Sequence, residues 1–242
     1  QIKDGMAAVL LVVQFVFIMP DIIYVLENTG FDPSWRYFLN VVNGTDLKFG
    51  RDIYFTYGPL GYLFYLMKLP GNTLEYWSGI VIWGIIFLFH LWMLLQLYRL
   101  YQKGKIHFWA ITASVCCYLA GYYAPTRDNY LLYLMILAVV LWAKGAKNIV
   151  LIPNQLLLLM FFGKFSTFTS GFAFCILFCI FDVLFRKNWK SIWLFLPGII
   201  LMPVCYLVYC PSIKNLFEYV AGILKISSGW MLTMQFDSVL QP

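Results

Sequence analysis

An all-α fold, a polytopic bundle of transmembrane helices, is what this sequence predicts, and three observations predict it. Of 242 residues, 62% are hydrophobic and 12% charged, against roughly 45–50% and about 25% in soluble domains. Apolar runs close to the ~20 residues needed to cross a hydrocarbon core recur along the whole chain. Many of its tryptophans and tyrosines fall near the ends of those runs, at the headgroup level that amphipathic rings prefer.

About seven spans follow in order. Met6 to Leu26 is the first, interrupted by Gln14 and Pro20-Asp21; no small-residue cleavage site follows it, so it reads as a retained span rather than a signal peptide. A long mixed segment, 27–76, comes next. Within it Pro33 to Val42 predicts a short amphipathic helix on the interface, with Asp32 as N-cap and Pro33 at its first position. Trp77 to Tyr98, Phe108 to Ala124 and Tyr130 to Ala143 are spans two to four. Ile149 to Phe162 is short, and Gly163 to Gly171 forms a polar interruption before Phe172 to Phe185. Ser191 to Tyr209 is the last span, leaving a polar tail after Cys210. The chain reads as one transmembrane domain, 1–242, belonging to a longer protein.

Lys3, the group Arg99 to Lys105, Lys144 with Lys147, and Arg186 to Lys190 occupy alternate connections, with only Asp4 and Asp182 as acids among them. The positive-inside rule makes that side cytoplasmic. The expected location is the plasma (inner) membrane, with the amino terminus cytoplasmic and the loop 27–76 external. The net charge of +6 does not point to nucleic acid, because the basic residues are dispersed between apolar runs. All six cysteines lie in or beside spans without metal or redox spacing. Two histidines on different levels, His90 and His107, offer no metal triad.

The external loop carries the chemistry-bearing residues. It reads Asp32-Pro33-Ser34-Trp35, then Phe49-Gly50-Arg51-Asp52, then Tyr57-Gly58-Pro59-Leu60. This pattern resembles the first external loop of membrane glycosyltransferases of the GT-C fold, which use polyprenyl-phosphate sugars. Shared features are an acid just after span one, an interfacial helix, an aromatic-Arg-Asp segment and Gly-Pro-Leu before an apolar run. The likeness covers residues 1 to about 70, with one inserted glycine and with Pro33-Ser34-Trp35 where the family more often has Glu-x-x-Tyr. It implies transfer of a sugar from a polyprenyl-phosphate donor in the bilayer to an external glycan, lipid or protein acceptor. It also implies Asp32 as catalytic base and Tyr57 among the substrate-binding residues.

Such a transfer needs a carboxylate near the acceptor hydroxyl and cations for the departing phosphate. Asp32 or Asp52 fits the first role, and Arg51, Arg127 and Lys164, all expected on the external side, fit the second. No cofactor is required by these residues, and a divalent metal is left open. Each residue also has a plainer reading. Asp32 serves as an N-cap, Arg51-Asp52 as a structural ion pair, Gly58-Pro59-Leu60 as a turn, and Lys164 as a snorkelling lysine. His90 reads as a packing residue, Asp21 either as lining the same cavity as these residues or as a helix-end residue, and Asn43-Gly44-Thr45 as a glycosylation sequon. The alternative class is a non-catalytic membrane protein: a transporter, a flippase or a GT-C-like subunit. Transporters show paired broken helices, whereas this sequence has one evident break, which favours the enzyme.

The expected topology has a direct test. A cysteine placed at Thr45 should react with a membrane-impermeant reagent on intact cells; labelling only after the inner face is opened would reverse the orientation.

Overall fold

The computed structural model describes residues 2–18, 20, 21, 23, 31–109, 111–112, 127–209 and 212–239. Among them there is no strand, only isolated bridges. Helices are α1 (Ile2–Ile18), α2 (Phe31–Val41), α3 (Thr73–Gln102), α4 (Arg127–Ala143), α5 (Leu151–Gly163), α6 (Phe165–Arg186), α7 (Leu196–Tyr209) and α8 (Ile213–Val239). Short 3₁₀ turns cover Val42–Gly44, Gly61–Tyr65, Lys147–Ile149 and Trp189–Leu194. Of the third expected span, residues 108, 109, 111 and 112 are helical and the rest lie outside the described residues.

Among the described residues three helices are long and apolar enough to cross a membrane: α3 with 30 residues, α6 with 22, and Trp189–Tyr209, which joins a 3₁₀ turn to α7, with 21. Their outward faces identify the solvent they meet. On α3 the exposed residues Leu74, Trp77, Val81, Ile85, Leu88, Leu91 and Leu95 recur every three or four positions, a continuous apolar stripe on one helix face. Leu177, Ile180, Phe181 and Leu184 do the same on α6. In water such stripes would be costly; in hydrocarbon they are the ordinary outer surface.

The helix α5 is the centre of the bundle. It is apolar on every side except Asn154 and Gln155, and it packs against α4, α6 and α7. The polar Asn154 is buried because its amide makes three hydrogen bonds: it donates to the Val150 (3.0 Å) and Trp193 (2.9 Å) carbonyls and accepts from the Gly198 N–H (2.8 Å). That staple fixes the start of α7 on α5. At the other end of α5 the chain reverses at Lys164, the one non-helical residue between α5 and α6 (φ −138°, ψ 113°). A β-carbon on Gly171 would lie 3.1 Å from Met160 Sδ and 3.8 Å from Leu157. Residues nearly equidistant from Lys164 therefore face one another, the register of an antiparallel helical hairpin.

Several boundaries differ from the sequence expectation, for physical reasons. The interruption expected over 163–171 shrinks to Lys164, since Ser166, Thr169 and Ser170 hydroxyls hydrogen-bond within the first turns of α6 or face outward. The first helix covers Ile2–Ile18, and Pro20 and Asp21 are not helical, so it falls short of the expected Leu26. The helix expected at the interface covers Phe31–Val41, so Asp32 is a helical residue rather than the N-cap. α3 starts at Thr73, so the loop is shorter than 27–76 at its far end. The tail after Cys210, where no helix is expected from the sequence, contains a 27-residue helix, α8.

The loop between α2 and α3 is pinned from both sides. Asn40 donates to the Tyr65 carbonyl (2.7 Å) and accepts from Met67 N–H (3.0 Å), while Asn72 bridges Met67 O and Leu69 N–H. Asn43, the sequon asparagine, donates its amide to the Pro59 carbonyl (2.9 Å). Residues 56–60 run along the α5–α6 reversal as a short pairing. Gly58 N–H donates to the Gly163 carbonyl (3.0 Å), Leu60 N–H to Phe162 (2.8 Å), and Phe165 N–H to Thr56 (3.0 Å). Those are the end groups of two helices, which otherwise lack partners.

Gly58 is where backbone approaches backbone. A β-carbon there would stand 2.6 Å from the Phe162 carbonyl oxygen and 2.6 Å from the Tyr219 hydroxyl. Gly58→Ala should therefore destabilise the fold by about 1–3 kcal/mol, the range for overpacking. Gly44→Ala, with nothing within 4 Å, should stay within about 0.5 kcal/mol. Unfolding of both variants in a mild detergent, followed by tryptophan fluorescence, measures the difference.

Candidate functional site

The loop pairing brings three cations to one tier of aromatic rings. From α2 come Trp35 and Arg36, from the loop Tyr57 and Tyr65, from the start of α4 Arg127 and Asp128, and from the α5–α6 reversal Lys164. Trp35 stacks on Tyr57 with centroids 5.0 Å apart and meets Tyr65 edge-on at 4.9 Å. The hydroxyls of Tyr57 and Tyr65 are 3.4 Å apart. The Arg36 guanidinium lies 4.8 Å from the Tyr65 ring centre and 5.2 Å from that of Trp35. Arg127 approaches Tyr65 at 5.8 Å, and Lys164 lies 5.3 Å from the centre of Tyr57. All fall within the reach of cation–π attraction, about 6 Å.

The carboxylates of this cluster are fewer than its cations. Asp128 forms an ion pair with Lys164, each side chain 23% exposed. Asp21, itself exposed, lies near enough to act electrostatically on Arg127, as does Asp128, while Arg36 opposes them. Arg127 is half-buried, and its Nε has no hydrogen-bond acceptor among the described residues. A buried guanidinium donor facing an aromatic ring, with no acceptor, is what an anionic ligand's oxygen would satisfy. Burial first, and then the hydrogen bond with Tyr65, keep the Tyr57 phenol protonated well above the ordinary range.

An apolar groove of about 350 Å³ opens sideways between α3, α5 and α7. Leu60 and Phe162, which are hydrogen-bonded to each other beside the reversal, line it together with Ile86, Met93, Leu156 and Tyr209. The groove and the cation cluster thus share the same short stretch of backbone.

The sequence-derived candidates divide accordingly. Arg127, Lys164 and Tyr57 meet in the cluster. Asp32 lies in α2 one turn before Trp35 and Arg36; its side chain lies outside the described residues. Arg51 and Asp52 sit elsewhere, in a tight turn against α7 and α8. Arg51 donates to both carboxylate oxygens of Asp52 (2.7–3.0 Å), and Asp52 also accepts from the Lys48 N–H (2.9 Å). Phe49 in that turn packs on Tyr219 and accepts a hydrogen bond from Tyr206 (2.5 Å). The pair is exposed and structural in its contacts. Trp35, Arg36, Tyr65 and Asp128 were not anticipated as site residues. Arg36 had a readable signal, an arginine one turn after Asp32 on an amphipathic helix; Tyr65 had none.

Deeper in the bundle, His90 is fully buried, with Tyr130 OH 2.9 Å from Nδ1 and Phe15 against its ring. Gln14 of α1 bonds Tyr133 of α4 beside it. Among the described residues no group of three His, Cys, Asp or Glu side chains is arranged to hold a metal.

The helices and this cluster define a helical membrane protein with a cation and aromatic site beside a helix reversal. No family model matches the chain, and no curated protein or solved structure matches it.

The Asp52 carboxyl is held below the usual carboxylate range, chiefly by its hydrogen bonds with Arg51 and then by the Lys48 amide. A depressed folded-state pKa adds stability above the unfolded-state value, and that contribution is lost as pH falls through the folded one. NMR of ¹³C-labelled aspartate should give Asp52 a midpoint below 3.8, and Arg51→Gln should raise it.

Proposed function

We propose that this chain is a glycosyltransferase of the plasma (inner) membrane, GT-C-like, with about seven spans, its amino terminus cytoplasmic and its candidate site on the external face. It takes a sugar from a polyprenyl-phosphate donor and places it on an external glycan, lipid or protein. The observation that carries this reading is the half-buried Arg127 with an unsatisfied donor beside the Lys164–Asp128 pair and the Trp35–Tyr57–Tyr65 rings. Arg127 and Lys164 are the phosphate contacts, and Arg36 adds positive charge to the same tier. The rings offer flat faces to the apolar side of a sugar. The lateral groove at Leu60 and Phe162 gives the lipid chain a path from the bilayer to that tier.

In the reaction the acceptor oxygen attacks the anomeric carbon, the bond from that carbon to the phosphate oxygen breaks, and the phosphate leaves with the electron pair. The acceptor's proton passes to a carboxylate. Asp32 is proposed as that base because the resemblance to the first external loop of GT-C glycosyltransferases implies it; Asp52 is held by Arg51 and Asp128 pairs with Lys164. Preorganised cations lower the cost of charge on the leaving phosphate.

Transfer from a radiolabelled polyprenyl-phosphate sugar in proteoliposomes tests the reading, with donor binding assayed separately. Asp32→Asn should reduce turnover by about 10²–10⁴-fold with donor binding retained. Arg127→Gln should weaken donor binding by roughly 1.5–3 kcal/mol, the worth of a hydrogen bond to a charged group. Arg51→Gln should leave both within a few-fold. Donor binding that depends on Arg127, with no transfer to any acceptor, would assign the site to a non-catalytic lipid-phosphate-binding protein.

A further inference from the structure

At the opposite, basic end of the bundle a second groove lies between α3 and α4. It holds about 220 Å³ and is lined by Leu97, Ile106, Ile136, Leu137 and Val140, with Lys105, His107 and Lys144 at its mouth and Tyr133 within it. Its walls are apolar and its rim is cationic. Ile136 and Val140 are 46% and 41% exposed, so the groove opens sideways, on the side where a bilayer would lie. Among the described residues neither Lys105 nor Lys144 forms an ion pair.

The two lysines are brought together by the chain rather than by chance crowding. Lys105 N–H closes the end of α3 on the Leu100 carbonyl, and Gly145 N–H and Ala146 N–H close the end of α4 on Trp142 and Leu141. These turns put the Lys105 ammonium 3.6 Å from where a β-carbon on Gly145 would stand, next in sequence to Lys144. Two acids lie at this end: Asp4 lines, with Lys3 and Tyr101, a neighbouring cleft that also reaches Ile106 and His107, and Asp182 lines another beside Gly145, where it pairs with Arg186. Nothing within the groove neutralises the two ammonium groups.

We propose that this groove is a binding site for an anionic glycerophospholipid of the adjoining leaflet. One acyl chain lies against Leu97, Leu137 and Val140, and the phosphodiester sits between Lys105 and Lys144 with the His107 imidazole alongside. Charge complementarity selects this occupant. A zwitterionic lipid fills the same apolar walls but carries its own ammonium to a rim that already holds two. Basic pockets between transmembrane helices recognise anionic headgroups in this way, each lysine near the membrane surface contributing about fivefold in affinity. The site is separate from the cluster at Arg127, and it stands whichever reaction that cluster performs.

The full chain in a mild detergent, titrated with phosphatidylglycerol carrying a fluorescent acyl chain, gives the test by anisotropy. Phosphatidylglycerol should bind more tightly than phosphatidylcholine with the same label. Lys105→Gln and Lys144→Gln should each weaken it about fivefold, and the double variant roughly thirtyfold. Val140→Trp, which fills the groove and leaves both lysines in place, should weaken both lipids. Melting midpoints without lipid verify folding, and the single variants decide alone if the double variant does not fold. Equal affinity for the two lipids overturns the proposal. So does unchanged phosphatidylglycerol binding in the lysine variants, or competition by inorganic phosphate as effective as that by unlabelled phosphatidylglycerol.

Discussion

Three backbone hydrogen bonds between residues 56–60 and the α5–α6 reversal organise this molecule. A chain that turns back after one extended residue leaves carbonyls at the end of one helix and N–H groups at the start of the next without intrahelical partners. In or near hydrocarbon each such group is costly, because water is not there to take it. Here a loop from elsewhere in the sequence supplies partners for Phe162, Gly163 and Phe165. The central helix can therefore end abruptly, and the loop in turn acquires a fixed place.

From that pairing the arrangement of the site follows. Tyr57 lies beside Lys164 because the two residues face each other across the bridge. Tyr57 then supports Trp35, and Trp35 with Tyr65 holds Arg36. Arg127 and Asp128 enter from the first turn of α4, and the Asp128–Lys164 ion pair ties that helix to the reversal. A partly buried pair of this kind offsets part of its own desolvation, and Arg127 keeps its Nε without an acceptor among the described residues.

The all-helical membrane architecture was legible because composition and run length are properties of the sequence itself. The short helix α2 was legible from its amphipathic pattern, although its Asp-Pro pair lies within the helix rather than capping it. Lys164 was found by the cost of a lysine between apolar runs, and Arg127 by its place in a short polar turn. Arg51 and Asp52 drew attention as adjacent charges, yet adjacency is also what lets them satisfy each other in a tight turn. Tyr65 and Trp35 were not legible as site residues, since aromatic side chains are abundant here and only long-range packing distinguishes two of them. The extent of the break was overestimated because serines and threonines were read as loop formers. In a helix their hydroxyls bond back to the preceding turn, as Ser170 does to Ser166. The helical tail was missed because its polar residues concealed the buried Leu216, Tyr219 and Ile223, whose partners come from distant elements, as Tyr219 meets Phe49, Phe161 and Tyr206.

A reversal made of one residue also sets what kinds of sequence change the hairpin can absorb. An α-helix advances about 100° per residue, so a single residue inserted beside Lys164 would rotate α6 by that angle relative to its own turn. Leu177, Ile180 and Leu184, now exposed, would swing towards α5, and Cys175 and Asp182, now buried, would swing out towards lipid. Chain length in this stretch is thus under tighter constraint than side-chain identity. At the exposed tip around Gly44 and Asp46, by contrast, extra residues would extend away from the bundle and leave its register unchanged.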